Sequence, residues 1–212
     1  MRIEVKDVTK IIRGITVLEN VSLSMESGKI YGLRGVNGSG KTMLMRAISG
    51  LISPSRGMIL IDGRRLGQEI SFPPEVGMLI ESPAFLDSYT AARNLKLIAG
   101  IRRTVGEERV RDVLGQVGLD FTDKRKFRQF SLGMKQRLGI AGAILEHPKL
   151  LLIDEPTNAL DTDGVEMVKA VVRAEKERGA LIILACHDFP ILKELSDELY
   201  LVREGRVARY EE

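Results

Sequence analysis

One octapeptide constrains this chain more than any other stretch: Gly35 to Thr42, reading GVNGSGKT. It follows Ile30-Tyr31-Gly32-Leu33, which reads as a buried strand, and it precedes Met43 to Ile48, an apolar segment that reads as a helix. Strand, glycine-rich turn, Lys-Thr and helix in that order make a phosphate-binding loop. Gly35, Gly38 and Gly40 let the backbone curl around Val36, Asn37 and Ser39, so that successive N–H groups point at one phosphate chain. The helix that follows presents its positive end to the same charge. In that geometry Lys41 reaches the β- and γ-phosphates and the Thr42 hydroxyl ligates Mg²⁺.

Composition removes several function classes. Lys plus Arg at 32 against Asp plus Glu at 29 leaves a net charge of +3, too small to make nucleic acid the main partner. The single Cys186 excludes an internal disulfide framework and suits a reducing compartment. No basic, apolar leader opens the chain at Met1, so secretion is not expected. The longest apolar run, Ala180 to Cys186, is far shorter than the roughly 20 residues that span a bilayer. If the protein works at a membrane, another chain does the spanning.

The 212 residues have room for one large or two small domains. Ile3 to Val8 alternates apolar with polar, and Val21, Leu23 and Met25 repeat that period, which predicts half-buried antiparallel strands. Ser53 to Gly57 is a turn before a strand over Met58 to Ile61; Val76 to Ile80 is another short apolar run. From Ala91 to Val117 the spacing becomes helical, with Leu95, Ile98 and Ile101 on one face and Val110, Val113, Leu114 and Val117 on another. Further helices are expected over Met134 to Leu145 and Asp163 to Arg178, buried strands over Leu150 to Ile153 and Ala180 to Cys186, and a closing hairpin over 199–208. Buried strands alternating with helices predict a mainly parallel sheet covered on both faces.

A second motif partners the loop. Leu150 to Ile153 delivers Asp154 and Glu155 to the carboxyl end of a strand, the edge at which open α/β sheets bind ligands. Asp154 would hold Mg²⁺ through water, and Glu155 would orient and deprotonate an attacking water.

With these motifs in place the chain resembles the nucleotide-binding subunits of ATP-binding cassette (ABC) transporters. Phe130-Ser131-Leu132-Gly133-Met134 is similar to the family signature LSGGQ and runs into Lys135-Gln136-Arg137-Leu138. Asn158-Ala159-Leu160-Asp161 resembles the D-loop, and His187 resembles the switch histidine. The resemblance implies an α/β fold of the P-loop NTPase (RecA-like) type, with a mainly parallel core, an N-terminal antiparallel β layer and an inserted α-helical subdomain. It divides the single domain into a core of 1–81 and 137–212 and a helical part of 82–136 carrying the signature. It also implies two subunits facing head to tail, as a homodimer or pseudo-dimer, with ATP between the loop of one and the signature of the other. Ser131 and the Gly133 and Met134 backbone would then touch the γ-phosphate across the interface, Asp161 would couple the two sites, and His187 would sense the γ-phosphate. The partners implied are membrane-spanning permease subunits and the location is the cytoplasmic face of the cell membrane, held peripherally.

Departures from the family pattern are informative. Ile12 stands where many members stack an aromatic ring on adenine, and Met43 where a hydroxyl often meets the α-phosphate. The signature carries Leu132 and Met134 in place of a glycine and a glutamine, yet keeps Ser131 and Gly133. Glu81 occupies the position of the Q-loop glutamine, which reaches Mg²⁺ and the membrane subunit together; it reads either as a gate on hydrolysis or as a tolerated substitution. Leu79 to Phe85 together with Ser131 to Arg137 resemble more specifically the bacterial exporters of antimicrobial peptides, the lantibiotic-immunity and bacitracin-resistance type. The basic cluster Lys124-Arg125-Lys126 with Arg128 reads as a solvated face or as one turned to the membrane subunit or anionic headgroups. Two alternatives stay open: a soluble, non-transport ABC ATPase, and a nucleotide-binding regulatory module that no longer turns over.

Overall fold

A computed structural model describes residues 1–210 of the chain. It opens with β1 (Arg2–Ile12), β2 (Ile15–Glu26), β3 (Ile30–Arg34), α1 (Lys41–Ile48), β4 (Arg56–Ile61), β5 (Arg64–Arg65) and β6 (Val76–Leu79). Then come α2 (Ala91–Arg102), α3 (Glu107–Gln116), a 3₁₀ turn over Phe127–Gln129 and α4 (Leu132–Ile144). The chain closes with β7 (Leu150–Asp154), α5 (Thr162–Glu177), β8 (Leu181–Ala185), α6 (Phe189–Leu195), β9 (Glu198–Arg203) and β10 (Arg206–Arg209).

Two sheets result. The strands with period-two patterning form an antiparallel layer in the order β2-β1-β4-β5, and the continuously apolar strands form a sheet in the order β10-β9-β3-β8-β7-β6, parallel except for the β9–β10 hairpin. The central strands β7 and β8 are buried at every position, which explains why they read as runs rather than alternations. Their successive side chains still point to opposite faces. Leu150, Leu152, Leu181 and Ile183 enter one core with α1 and the antiparallel layer, through Ile3, Val5, Leu44, Ile48 and Ile59. Leu151, Ile153, Ile182 and Leu184 enter the other, with Leu138, Ile144, Val168, Val172 and Leu192 from the helices.

Most element bounds fall within a residue or two of the expected ones. Helix α6 was not expected, and one expected stretch differs. The helical spacing over 91–117 is two helices, because Arg103 turns left-handed at φ 57 and ends α2 before Gly106 opens α3. The expected face of Leu95, Ile98 and Ile101 is therefore shorter: Leu95 is buried and Ile98 packs on the core, while Ile101, in the last turn of α2, is 81% exposed. Among the described residues no helix is long and apolar enough to cross a membrane.

The parallel register places the site. β3, β8, β7 and β6 all release their chains at one edge, and the segments starting at Gly35, Cys186, Glu155 and Ile80 leave from it side by side.

Candidate active site

The loop after β3 takes its shape from glycines where no side chain would sit easily: Gly38 has φ +78, and Gly40, at the N-cap of α1, has φ +117. Lys41 is 5% exposed and folds back over the loop, its Nζ donating to the carbonyls of Gly35 at 2.6 Å and Val36 at 3.3 Å. The Thr42 hydroxyl donates to Oδ2 of Asp154 at 2.6 Å, which ties the start of α1 to the end of β7. A cleft of about 450 Å³ runs along this loop, lined by Asn37 to Met43, Asp154, Glu155 and, at its far end, Ile12, Arg13, Ile15 and Val17 of the first hairpin.

Asp154 is 6% exposed and its carboxyl lies above the usual aspartate range. Burial is the main cause, opposed by the Thr42 hydrogen bond; the charge of Glu155 adds to the rise, Lys41 offsets it, and Glu81 adds a smaller increment. Glu155 is held by its backbone from two sides. Its N–H donates to Ala185 O at 2.8 Å, and its carbonyl accepts from Nε2 of Gln136 at 3.0 Å. Its Oε2 accepts the backbone N–H of His187 at 3.0 Å and lies 2.8 Å from His187 Nδ1. An ionised carboxylate only accepts, so in that contact Nδ1 carries a ring proton. The other oxygen, Oε1, is buried with no protein partner, as is Oγ of Ser39 within the loop.

These orphaned atoms and the all-oxygen donor set of Thr42 and Asp154 fit a small hard cation beside bound phosphates. No group of three or more His, Cys, Asp or Glu side chains gathers into a metal cage among the described residues. Mg²⁺ asks for none, since it binds through one or two carboxylates plus phosphates and water. Glu81 stands at the rim of the neighbouring cavity with Asp154 and Glu155, and its Oε1 meets Arg46 at 2.6 Å.

The other residues singled out in the sequence divide into two groups. Ile12 and Met43 line the loop cleft. Ser131, Gly133, Met134 and Asp161 do not. Ser131 is the N-cap of α4, its Oγ accepting from Met134 N at 3.2 Å, and Asp161 is the N-cap of α5, accepting from Gly164 N at 2.9 Å with Arg137 3.4 Å away. Cys186 is buried, its Sγ 3.5 Å from Thr157 Oγ1, and burial pushes its thiol up. Two contacts had no direct sequence signal: the His187–Glu155 pair and the Arg46–Glu81 pair. Gln136 had a partial one, since it shares a helix face with Ile140 and Ala143 and so is an inward-facing amide needing a partner.

Comparison with known proteins agrees with this geometry. Residues 18–158 match the family described as ABC transporter. An uncharacterized ABC transporter ATP-binding protein of Bacillus subtilis, YybJ, is 47% identical over 205 residues, covering 97% of this chain and 94% of its own. The lantibiotic transport ATP-binding protein SrtF of Streptococcus pyogenes is 36% identical (91% of this chain, 82% of its own), and the bacitracin transport ATP-binding protein BcrA of Enterococcus faecalis 35% (97% and 67%). Among solved structures, an ATP-binding subunit of an ABC transporter superposes with a TM-score of 0.89 at 30% identity, covering 99% of this chain and 90% of that one. A dimeric post-hydrolysis ATP-binding cassette with ADP and Pi shares the fold, with a TM-score of 0.87 at 24% identity, covering 99% and 98%. The chain belongs to the ABC transporter family, as one of its ATP-binding, ATP-hydrolysing subunits, and resembles within it the lantibiotic and bacitracin transport type.

Proposed function

We propose that this chain is the motor of a bacterial exporter of antimicrobial peptides or similar amphiphiles, working as a dimer around two ATP molecules and driving separate membrane-spanning subunits from the cytoplasmic face. One observation carries the reading: the His187–Glu155 pair and Lys41 stand at one sheet edge, around a cleft that the phosphate loop lines.

Backbone N–H groups from Gly35 to Thr42 and the Lys41 ammonium would hold the β- and γ-phosphates. Thr42 and Asp154 would hold Mg²⁺, with Glu81 within reach of the same end; when bound, the ion supplies positive charge against the phosphates. Glu155 would accept a proton from the water that attacks the γ-phosphorus, while the bond to the β-phosphate oxygen breaks. His187 would orient that carboxylate through Nδ1. Ile12, Ile15 and Val17 with Arg13 would meet the base without an aromatic ring, so binding would lean on the phosphates.

The signature at Ser131, Gly133 and Met134 and the D-loop at Asp161 would act on a second subunit's nucleotide, which supports a dimer. Residues 82–136 would form the helical part that turns against the core. Beside them, a groove of about 330 Å³ lined by Leu51, Ile80, Pro83, Phe85 and Ile98 supports docking of the membrane subunit. The relatives named for lantibiotic and bacitracin transport support the cargo class.

Glu155→Gln keeps the shape of the side chain and removes the base. In ATP and Mg²⁺ that variant should retain nucleotide and elute as a dimer in size-exclusion chromatography, with hydrolysis down by about 10²-fold or more. A variant that stays monomeric at every ATP concentration would remove the dimer reading. A wild type that hydrolyses nothing, even with its membrane subunit, would favour the regulatory module.

A further inference from the structure

Arg46 sits on α1 one turn beyond Thr42, so both side chains leave the helix on the same face. Thr42 is bonded to Asp154; Arg46 reaches past it to Glu81, Nη2 to Oε1 at 2.6 Å. Glu81 follows β6, whose parallel neighbour β7 ends in Asp154, with Leu79 level with Ile153. The register therefore brings Glu81 out beside the two acids of the site. Two cavities meet at this point: one is lined by Glu81, Asp154 and Glu155, the other by Arg46, Pro83 and Phe85. Glu81 thus stands between a cationic pole on one side and the phosphate end of the cleft on the other.

Building on the ATP reading above, we infer that Arg46 is a positioning residue: its guanidinium holds the Glu81 carboxylate out of the phosphate end of the cleft. Without it, the Glu81 carboxylate would be free to swing toward the phosphates beside Asp154 and Glu155. That charge repels the phosphates of bare ATP and attracts the cation that accompanies them. The side chains of the pair are 32% and 58% exposed, for Arg46 and Glu81 respectively, and a pair so exposed holds only weakly. A competitor can take Glu81 from Arg46, which makes the pair a release point between the nucleotide cleft and the groove beside Pro83.

The test is a double-mutant cycle on binding rather than turnover. The affinity of the full chain for a fluorescent ATP analogue is measured in EDTA and in Mg²⁺, and the ratio of the two dissociation constants gives the dependence on the cation. Arg46→Met should raise that ratio by about 3- to 10-fold by weakening binding in EDTA, at low salt where the charge is least screened. Arg46→Lys, which keeps the charge, should stay within about 2-fold of the wild type. In a Glu81→Gln background, Arg46→Met should leave the ratio unchanged. An unchanged ratio in Arg46→Met overturns the proposal, and so does a shift that persists in Glu81→Gln, which would mean that Arg46 acts on the phosphates itself. A wild type that binds no nucleotide under either condition overturns the ATP reading, and this proposal with it.

Discussion

Gly77 offers a sharp test of how the site is held together. It lies in β6 beneath α4, and a Cβ built on it would stand 1.8 Å from the carbonyl oxygen of Ala143 and 3.0 Å from Cγ of Pro148. A carbon and a carbonyl oxygen settle at about 3.3 Å. Gly77→Ala therefore asks α4 and β6 to separate by roughly 1.5 Å, and the obstacle is backbone that cannot swing aside as a side chain would. The helix is held by Leu138, Ile140, Ala141 and Ile144, all at 0% exposure, so it cannot shift without opening that packing. The cost falls at the upper end of overpacking, about 3 kcal/mol. A chain of this size loses about 2–4 °C in Tm per kcal/mol, so a fall of roughly 6–12 °C is expected in thermal unfolding, with a matching shift of the urea midpoint. Gly100→Ala is the control. That glycine is helical with nothing within 4 Å of its Cβ, so alanine there should stabilise by about 0.5–1 kcal/mol. A Gly77→Ala chain within about 0.5 kcal/mol of wild type would refute the close approach, and with it the account of how α4 carries Gln136 to Glu155.

Asp154→Asn should stabilise the ligand-free protein at neutral pH by about 1 kcal/mol while removing stabilisation by Mg²⁺ with ATP. The sign follows from burial, which raises the folded-state value of Asp154 above the ordinary 3.8. Its contribution to stability is present in full below 3.8 and is lost as pH rises through the folded value. Urea midpoints of the two proteins should therefore converge as pH falls through that window, and a gap that ignores pH would count against a strained aspartate. His187→Ala should lower ATP hydrolysis by about 10²-fold and leave affinity for the fluorescent analogue nearly unchanged; a loss of affinity equal to the loss of rate would mean that His187 binds nucleotide rather than positioning Glu155.

The sheet was visible in the sequence because its two kinds of strand are written differently. Strands solvated on one face alternate, as at Ile3, Val5, Val21 and Met25, whereas strands covered on both faces cannot alternate and appear as the unbroken runs at 150–153 and 180–186. The loop and its acids were visible for a similar reason: each sits where an apolar run stops, which in a parallel sheet is the ligand edge. Helix α6 was missed because Phe189-Pro190 resembles a break, although a proline in the first turn, behind the Asp188 cap, is compatible with a helix. The pairings of His187 with Glu155 and Arg46 with Glu81 were out of reach. The partners are separated along the chain: the adjacency of β8 and β7 makes neighbours of His187 and Glu155, and Arg46 reaches from α1 to Glu81 after β6, which no local pattern links.

The same topology explains why the signature residues stand apart from the loop cleft. The phosphate loop, Asp154, Glu155, His187 and Glu81 all leave one sheet edge, so strand register alone gathers them. Ser131 opens a helix whose Gln136 amide bonds the Glu155 carbonyl, but Ser131 itself does not line the loop cleft. Apolar exposure falls on both halves: Val36 is 78% exposed within the loop, and Leu132, first residue of the signature helix, is 74% exposed. Single exposed apolar residues are common, but these two flank the two motifs that the family's head-to-tail arrangement would bring face to face. In the proposed dimer, a second copy laid loop to signature would cover both at once.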